Sequence, residues 1–352
     1  MAKKQIKFGI VGCGVIGRFH AEAMVEAPAV KLVAAADIRP ERARALAEKH
    51  ACKWYGSLEE MLKDREVEAV SVCTPSGLHA EHGMQSAKAG RHIIIEKPLD
   101  RDLAKVDRLA AYCKRKGLKM GGIFQYRTFE GARKVKQAIE EGRLGRLISG
   151  SAEIMWYRAQ EYYDADEWRG TLALDGGCLW NQGIHFVDLL CWMLGEPKKV
   201  LFAKLATLER KMEAEDFGVA AVQFQNGAIG MIRGTTLANP GLPARLEICG
   251  TKGVAVIHET NLVHFAIAGE QHSGPEGKGA SLYHKDIGYP SHIGLIQDFA
   301  EAIIYDREPF ISGMEGRRAV KLLTEIYKVA GMEDKAKGNP PRRARSKKAK
   351  PE

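Results

Sequence analysis

Through the first 125 residues, short apolar runs alternate with stretches of helical periodicity, the pattern of parallel strands buried between helices. The expected strands are Ile6–Val11, Lys31–Ala36, Ala69–Cys73, His92–Glu96 and Lys119–Phe124. The expected helices between them are Gly17–Ala27, Pro40–His50, Leu58–Lys63, Ala80–Ala89 and Leu103–Lys116. Beyond about Tyr126 the rhythm changes. A helix over Gly131–Glu141 precedes longer strands at Ile148–Trp156, Val200–Leu208, Asp216–Gln223, Ala228–Thr235 and Arg245–Cys249. The hairpin signal Gln225-Asn226-Gly227 makes this second sheet largely antiparallel. An apolar helix, Asn181–Leu194, interrupts it, and helices over Gly294–Tyr305 and Gly316–Val329 close the body. The fold class is therefore α/β in two parts: residues 1–125 around a parallel sheet, and 126–331 around an open, mostly antiparallel one.

Composition adds little to this picture. No run approaches the roughly 18 apolar residues of a membrane span, and the N-terminus has no leader-like apolar segment. Seven cysteines without a CxxC argue against a disulfide framework or a zinc site, and the expected compartment is the cytoplasm. Charge does change the picture, because of where it lies. Of the formal +9, Glu333–Glu352 carries +5, from eight Lys/Arg against three acids, so the folded body is only mildly basic. The stretch 332–352 has no apolar periodicity and is expected to be a disordered basic tail, with nucleic acid not the expected partner.

Chemistry begins at Gly12-Cys13-Gly14-Val15-Ile16-Gly17, between the first strand and first helix. The first glycine permits the turn, the second admits a pyrophosphate, and the third lets helix and strand approach. Asp37 ends the next strand, twenty residues after Gly17, where a carboxylate can bind both ribose hydroxyls. It would repel a 2′-phosphate, which favours NAD over NADP; Arg39 tempers that preference, since it can pair with a phosphate or stack on adenine. Two further segments end at the carboxyl edge of the sheet: Thr74-Pro75-Ser76-Gly77-Leu78-His79 and Glu96-Lys97-Pro98. Proline holds Lys97 in extended backbone, so its amine can protrude into a cleft. His79 and His82 read as a solvated helix face rather than a metal pair, and no metal site is expected.

With Trp168-Arg169-Gly170 and the run Asp175–Asp188, these motifs resemble the Gfo/Idh/MocA oxidoreductases over about residues 5–330. The resemblance implies a Rossmann NAD-binding domain, a substrate-binding and oligomerisation domain, and a homodimer or homotetramer formed through the C-terminal sheet. It implies hydride transfer between NAD(P) and a hydroxyl carbon of a sugar, sugar derivative or cyclitol. The family's catalytic lysine maps onto Lys97 and its histidine onto His185. Several members carry a carboxylate four residues before that histidine; here the position is Asn181, which cannot act as a base. That departure points away from the inositol subgroup and towards members acting on nucleotide-linked hexosamines or hexuronic acids. A helix over this stretch would put Asn181 and His185 on one face.

The expected chemistry assigns His185, neutral near pH 7, as base, with Lys97 polarising the substrate oxygen, or the two roles exchanged. Asn181, Arg127, Tyr157, Arg158 and Tyr163 are the candidate substrate contacts, with Arg127 equally able to serve domain-bridging carboxylates. Tyr162, Tyr283, His284, Tyr289 and His292 are weaker candidates. Gly12, Gly14, Val15, Ile16, Gly17, Asp37, Arg39, Thr74, Pro75, His79, Glu96, Lys97, Gln125, Trp168 and Arg169 are the candidate NAD contacts. The competing enzymatic reading is redox-neutral elimination, epimerisation or glycoside cleavage through a transient 3-keto sugar.

Overall fold

The computed structural model describes residues 4–269 and 288–332. The first sheet has the order β3-β2-β1-β4-β5-β6, all parallel: β1 (Ile6–Val11), β2 (Val30–Ala36), β3 (Lys53–Tyr55), β4 (Ala69–Val72), β5 (His92–Glu96) and β6 (Met120–Ile123). Helices α1 (Val15–Glu26), α2 (Pro40–His50), α3 (Leu58–Leu62), α4 (His79–Lys88) and α5 (Leu103–Lys116) supply the crossovers. The strand order reverses beside β1, so β1 and β4 flank the crevice where ligands of such sheets sit. The expected strands and helices of this half recur within one or two residues. β3 was not expected, because its three residues are mostly exposed and carry no apolar run.

The second part begins with α6 (Glu130–Glu140), β7 (Leu147–Met155), α7 (Gln160–Asp164) and α8 (Ile184–Leu194). There follow β8 (Pro197–Ala206), β9 (Phe217–Phe224), β10 (Ile229–Thr235), β11 (Arg245–Gly250), β12 (Gly253–His258) and β13 (Asn261–Ile267), then α9 (Pro290–Ile304) and α10 (Gly313–Val329). The sheet order is β13-β12-β11-β7-β10-β9-β8, antiparallel except where β7 lies parallel to β10. The Asn226-Gly227 hairpin joins β9 to β10, with Gly227 at φ +89°. The β12–β13 pair was not read from the sequence: Glu259, not a glycine, takes the left-handed conformation between them at φ +53°.

One expected element is corrected. The single helix Asn181–Leu194 is instead a π-helical turn, Cys178–Gln182, followed through Gly183 by α8. α9 then returns to the first sheet, packing on α1 and on β1, β2, β5 and β6. α10 packs on β8 and α8 of the second part and on α5 and β6 of the first. The two sheets thus share one continuous apolar core. Tyr283, His284 and the tail 333–352 lie outside the described residues.

Candidate active site

A cleft of about 870 Å³ runs along the carboxyl edge of the parallel sheet, walled on its far side by residues 158–182. Its floor is the glycine turn. Gly12 has φ +92°, and a Cβ there would stand 2.5 Å from the Cys73 carbonyl oxygen. Gly17 packs its α-carbon against the Gly12 carbonyl, where any side chain would clash. Gly14 has no such neighbour: a Cβ there would face the guanidinium of Arg42 at 4.0 Å, leaving the N-terminus of α1 open to the cleft. Val15 and Ile16 complete this edge. The Asp37 carboxylate accepts from the amides of Cys13 (2.7 Å) and Arg39 (2.8 Å), which fixes it at the cleft rim.

The Thr74–His79 loop forms the next stretch of wall. His79 is buried and spans two loops: Nδ1 lies 2.6 Å from the Pro98 carbonyl and Nε2 2.7 Å from that of Thr74. The Thr74 hydroxyl meets His82 Nδ1 at 2.9 Å. The expectation of a solvated His79/His82 face is therefore corrected: the His79 ring ties two backbone carbonyls and the His82 ring holds the Thr74 hydroxyl. Gly77 donates to the Leu174 carbonyl (3.0 Å), closing this loop onto the second part of the chain.

At the end of β5, Lys97 Nζ donates to the main-chain oxygen of Asn181 at 3.0 Å. Burial lowers the Lys97 amine from its ordinary value, against the opposing pull of Glu96 and Asp175. The Asn181 amide nitrogen donates to the Asp175 carboxylate. Gln182 joins Tyr162 (2.9 Å) to Arg158, whose guanidinium donates to Gln182 Oε1 at 2.8 Å. The Arg169 guanidinium lies over the rings of Tyr162 (4.4 Å) and Trp168 (4.7 Å). All of these except Asp175 line the cleft, together with Arg18, Arg42 and Asp166.

His185 sits beside this wall rather than in it. Its ring stacks on Tyr126 (4.7 Å between centroids), and its buried Nδ1 has no hydrogen-bond partner among the described residues. Burial, and secondarily the Lys97 charge, push it well below its ordinary value, so it is neutral at physiological pH. The expected continuous helix through Asn181 and His185 does not form: Asn181 lies in the π-helical turn with its side chain on Asp175, and His185 lies in the first turn of α8 with its ring on Tyr126. Gln125 is also buried outside the cleft lining, its Oε1 without a partner among the described residues.

Several expected contacts lie away from the cleft lining. Arg127 lies outside the cleft lining and takes the carboxylate-bridging role that was the equal alternative: it is buried, chelates Asp188 in a bidentate pair (2.6 and 2.7 Å) and reaches Glu315 at 2.9 Å. Tyr163 is buried with its hydroxyl on Thr236 (2.8 Å), and Tyr157 packs under Arg210; neither lines the cleft. Tyr289 and His292 do not line it either. His292 instead meets Glu96, whose Oε1 lies 2.9 Å from His20 Nε2 and 3.4 Å from His292 Nε2. Glu96 Oε2 accepts from the Lys97 amide (3.0 Å), so most of this carboxylate faces inward. Among the described residues these three are the group whose donors could hold a metal ion, but the donors already face one another. Asp175, His20 and Gln182 were not singled out from the sequence; only the company of Asp175 in a glycine-rich run hinted at a role.

Family models match residues 6–122 as an oxidoreductase NAD-binding Rossmann fold and residues 132–256 as a GFO/IDH/MocA C-terminal domain. The WlbA dehydrogenase from Bordetella pertussis, solved in complex with NADH and UDP-GlcNAcA, is 34% identical at a TM-score of 0.84, covering 93% of this chain and 97% of that one. The chain belongs to the Gfo/Idh/MocA oxidoreductase family. Among Gfo/Idh/MocA relatives, the myo-inositol 2-dehydrogenase of Thermotoga maritima is 28% identical over 90% of this chain and 94% of its own. The levoglucosan dehydrogenase of Pseudarthrobacter phenanthrenivorans is 26% identical over 72% and 74% respectively. The cofactor is NAD, and the residues present fit it: an open helix N-terminus at Gly14 for the pyrophosphate and the rim carboxylate of Asp37 for a ribose.

Proposed function

We propose that this oxidoreductase oxidises a secondary hydroxyl of a sugar that carries a nucleotide or an acidic group, with Lys97, His185 and Asn181 as the groups that meet the hydroxyl. The observation that carries the reading is the contact of Lys97 Nζ with the Asn181 main-chain oxygen, which brings two of these residues together in the lining of the dinucleotide cleft. When bound, NAD supplies the hydride acceptor. The chain supplies the rest. Lys97 donates a hydrogen bond to the substrate oxygen and stabilises charge developing there. Neutral His185 takes the hydroxyl proton.

The cleft lining holds Arg18, Arg39, Arg42, Lys97, Arg158 and Arg169 against Asp37, Glu96 and Asp166, an excess of positive charge that suits anionic ligands. The likeness to a dehydrogenase solved with UDP-GlcNAcA supports the same substrate class. The exposed face of the second sheet carries Ile148, Leu201, Phe202, Ile229 and Met231, which supports a homo-oligomer formed there. Seven free cysteines suit a cytoplasmic enzyme. A panel of hexoses, glycosides, sugar acids, cyclitols and UDP-sugars assayed for NADH formation tests the reading. Turnover without net NADH would favour the redox-neutral route instead.

A further inference from the structure

The family position four residues before the histidine is an amide here, and an amide has two faces of opposite character: an oxygen that accepts and a nitrogen that donates. Which face a substrate hydroxyl meets depends on what holds the other. In this chain the holder is Asp175. Its side chain is 1% exposed and lies outside the cleft lining. One carboxylate oxygen accepts from the Asn181 amide nitrogen and the other from the Gly170 amide at 2.7 Å. Gly170 has φ +67° and directly follows Trp168 and Arg169, so one carboxylate ties the Trp-Arg wall to the Asn181 wall. With its nitrogen held by Asp175, Asn181, itself a cleft-lining residue, leaves Oδ1 as its acceptor, 3.4 Å from Gln182 Nε2.

We propose that Asp175 is a positioning residue that orients the Asn181 amide as an acceptor for the substrate hydroxyl, and that protonating Asp175 reverses that orientation. This rests on the reading of the cleft as a sugar-oxidising site. The charged and titratable groups facing Asp175 are Lys97, Arg169, Tyr162 and Tyr163, with the Gly170 amide and Asn181 completing its surroundings. As a carboxylate, Asp175 can only accept, so Asn181 must present its nitrogen. A proton taken from solvent onto Oδ1 makes that atom a donor, and two donors then face each other until the amide turns over. Burial raises Asp175 to about 6, despite the Gly170 and Asn181 hydrogen bonds and the charges of Arg169 and Lys97. The exchange therefore falls in an accessible pH range.

The test is an NMR titration of the full chain between pH 5 and 8, with labelled aspartate carboxyl and asparagine side-chain amide groups. The expected result is a midpoint near 6 for Asp175 and the same midpoint for the Asn181 amide signals, lost in Asp175→Asn. In Asp175→Asn, kcat/KM for UDP-GlcNAcA should fall about tenfold or more and lose its inflection near pH 6, with NADH affinity within about threefold of wild type. Asn181 signals that stay flat while Asp175 titrates would overturn the proposal, as would an unchanged pH profile in Asp175→Asn. The NMR arm needs no turnover, so it stands even where the substrate panel fails, and it reads the wild-type chain if the variant does not fold.

Discussion

Lys97 and Asn181 meet across 84 residues of sequence, Nζ to main-chain oxygen at 3.0 Å, and that contact joins the edge of the parallel sheet to the second part of the chain. A desolvated amine held by a carbonyl rather than a carboxylate keeps its charge available for a developing alkoxide. Lys97→Ala and His185→Ala should each lower kcat/KM by about 10²–10⁴, while NADH affinity changes far less. Steady-state kinetics paired with NADH fluorescence titration reads both quantities.

Because burial beside Lys97 depresses His185, the histidine should stay neutral well below pH 6.5. The acid inflection assigned to it, taken as the one abolished in His185→Gln, should therefore lie below 6.5. An inflection at or above 6.5 that disappears in this variant would contradict the assignment.

Cofactor choice should follow Asp37. The carboxylate is fixed by the Cys13 and Arg39 amides, and charged hydrogen bonds of this kind contribute about 1.5–3 kcal/mol. Asp37→Ser should shift the NAD-over-NADP ratio of dissociation constants by about 10–100-fold towards NADP, with Arg39 free to meet the 2′-phosphate. Competitive binding of the two reduced cofactors measures it.

Arg127 should behave as a structural residue. Arg127→Met leaves Asp188 as an uncompensated buried carboxylate and should cost about 3–5 kcal/mol. Denaturant unfolding should show that loss, with NADH affinity of the remaining folded protein within about threefold of wild type.

Glu215 gives stability its own pH dependence. It is buried, accepts from Tyr327 and from the Leu179 amide (3.0 Å), and is raised by burial from 4.5 to about 7. The folded chain thus holds a proton that the unfolded chain releases, so this contribution is fully present below 4.5 and lost as pH rises through 7. Relative to Glu215→Gln, wild type should gain about 3 kcal/mol on going from pH 8 to pH 4.5. Unfolding curves of both chains across that range check the sign.

The glycine turn, the β5 lysine and most strand and helix positions were legible because each depends on local chemistry: a turn that excludes Cβ, a proline that extends its neighbour, an apolar run. What escaped was long-range. Nothing near Arg127 in sequence names Asp188 or Glu315, which lie 61 and 188 residues away. Glu96 lines the cleft as the sequence suggests, but nothing near it in sequence names its inward partners His20 and His292. The π-helical turn at Cys178–Gln182 was hidden for a different reason. Its residues have ordinary helical character, and the extra residue per turn is set by packing, with Gly177 pressed against Glu215 where no side chain would fit.

The most direct test of the central claim is NADH formation across the sugar panel, with wild type and Lys97→Ala run side by side. The account predicts substrate-dependent, stoichiometric NADH with at least one nucleotide-linked or acidic sugar, reduced by at least about 10²-fold in the variant. No NADH with any polyol, or equal NADH from both chains, would contradict it.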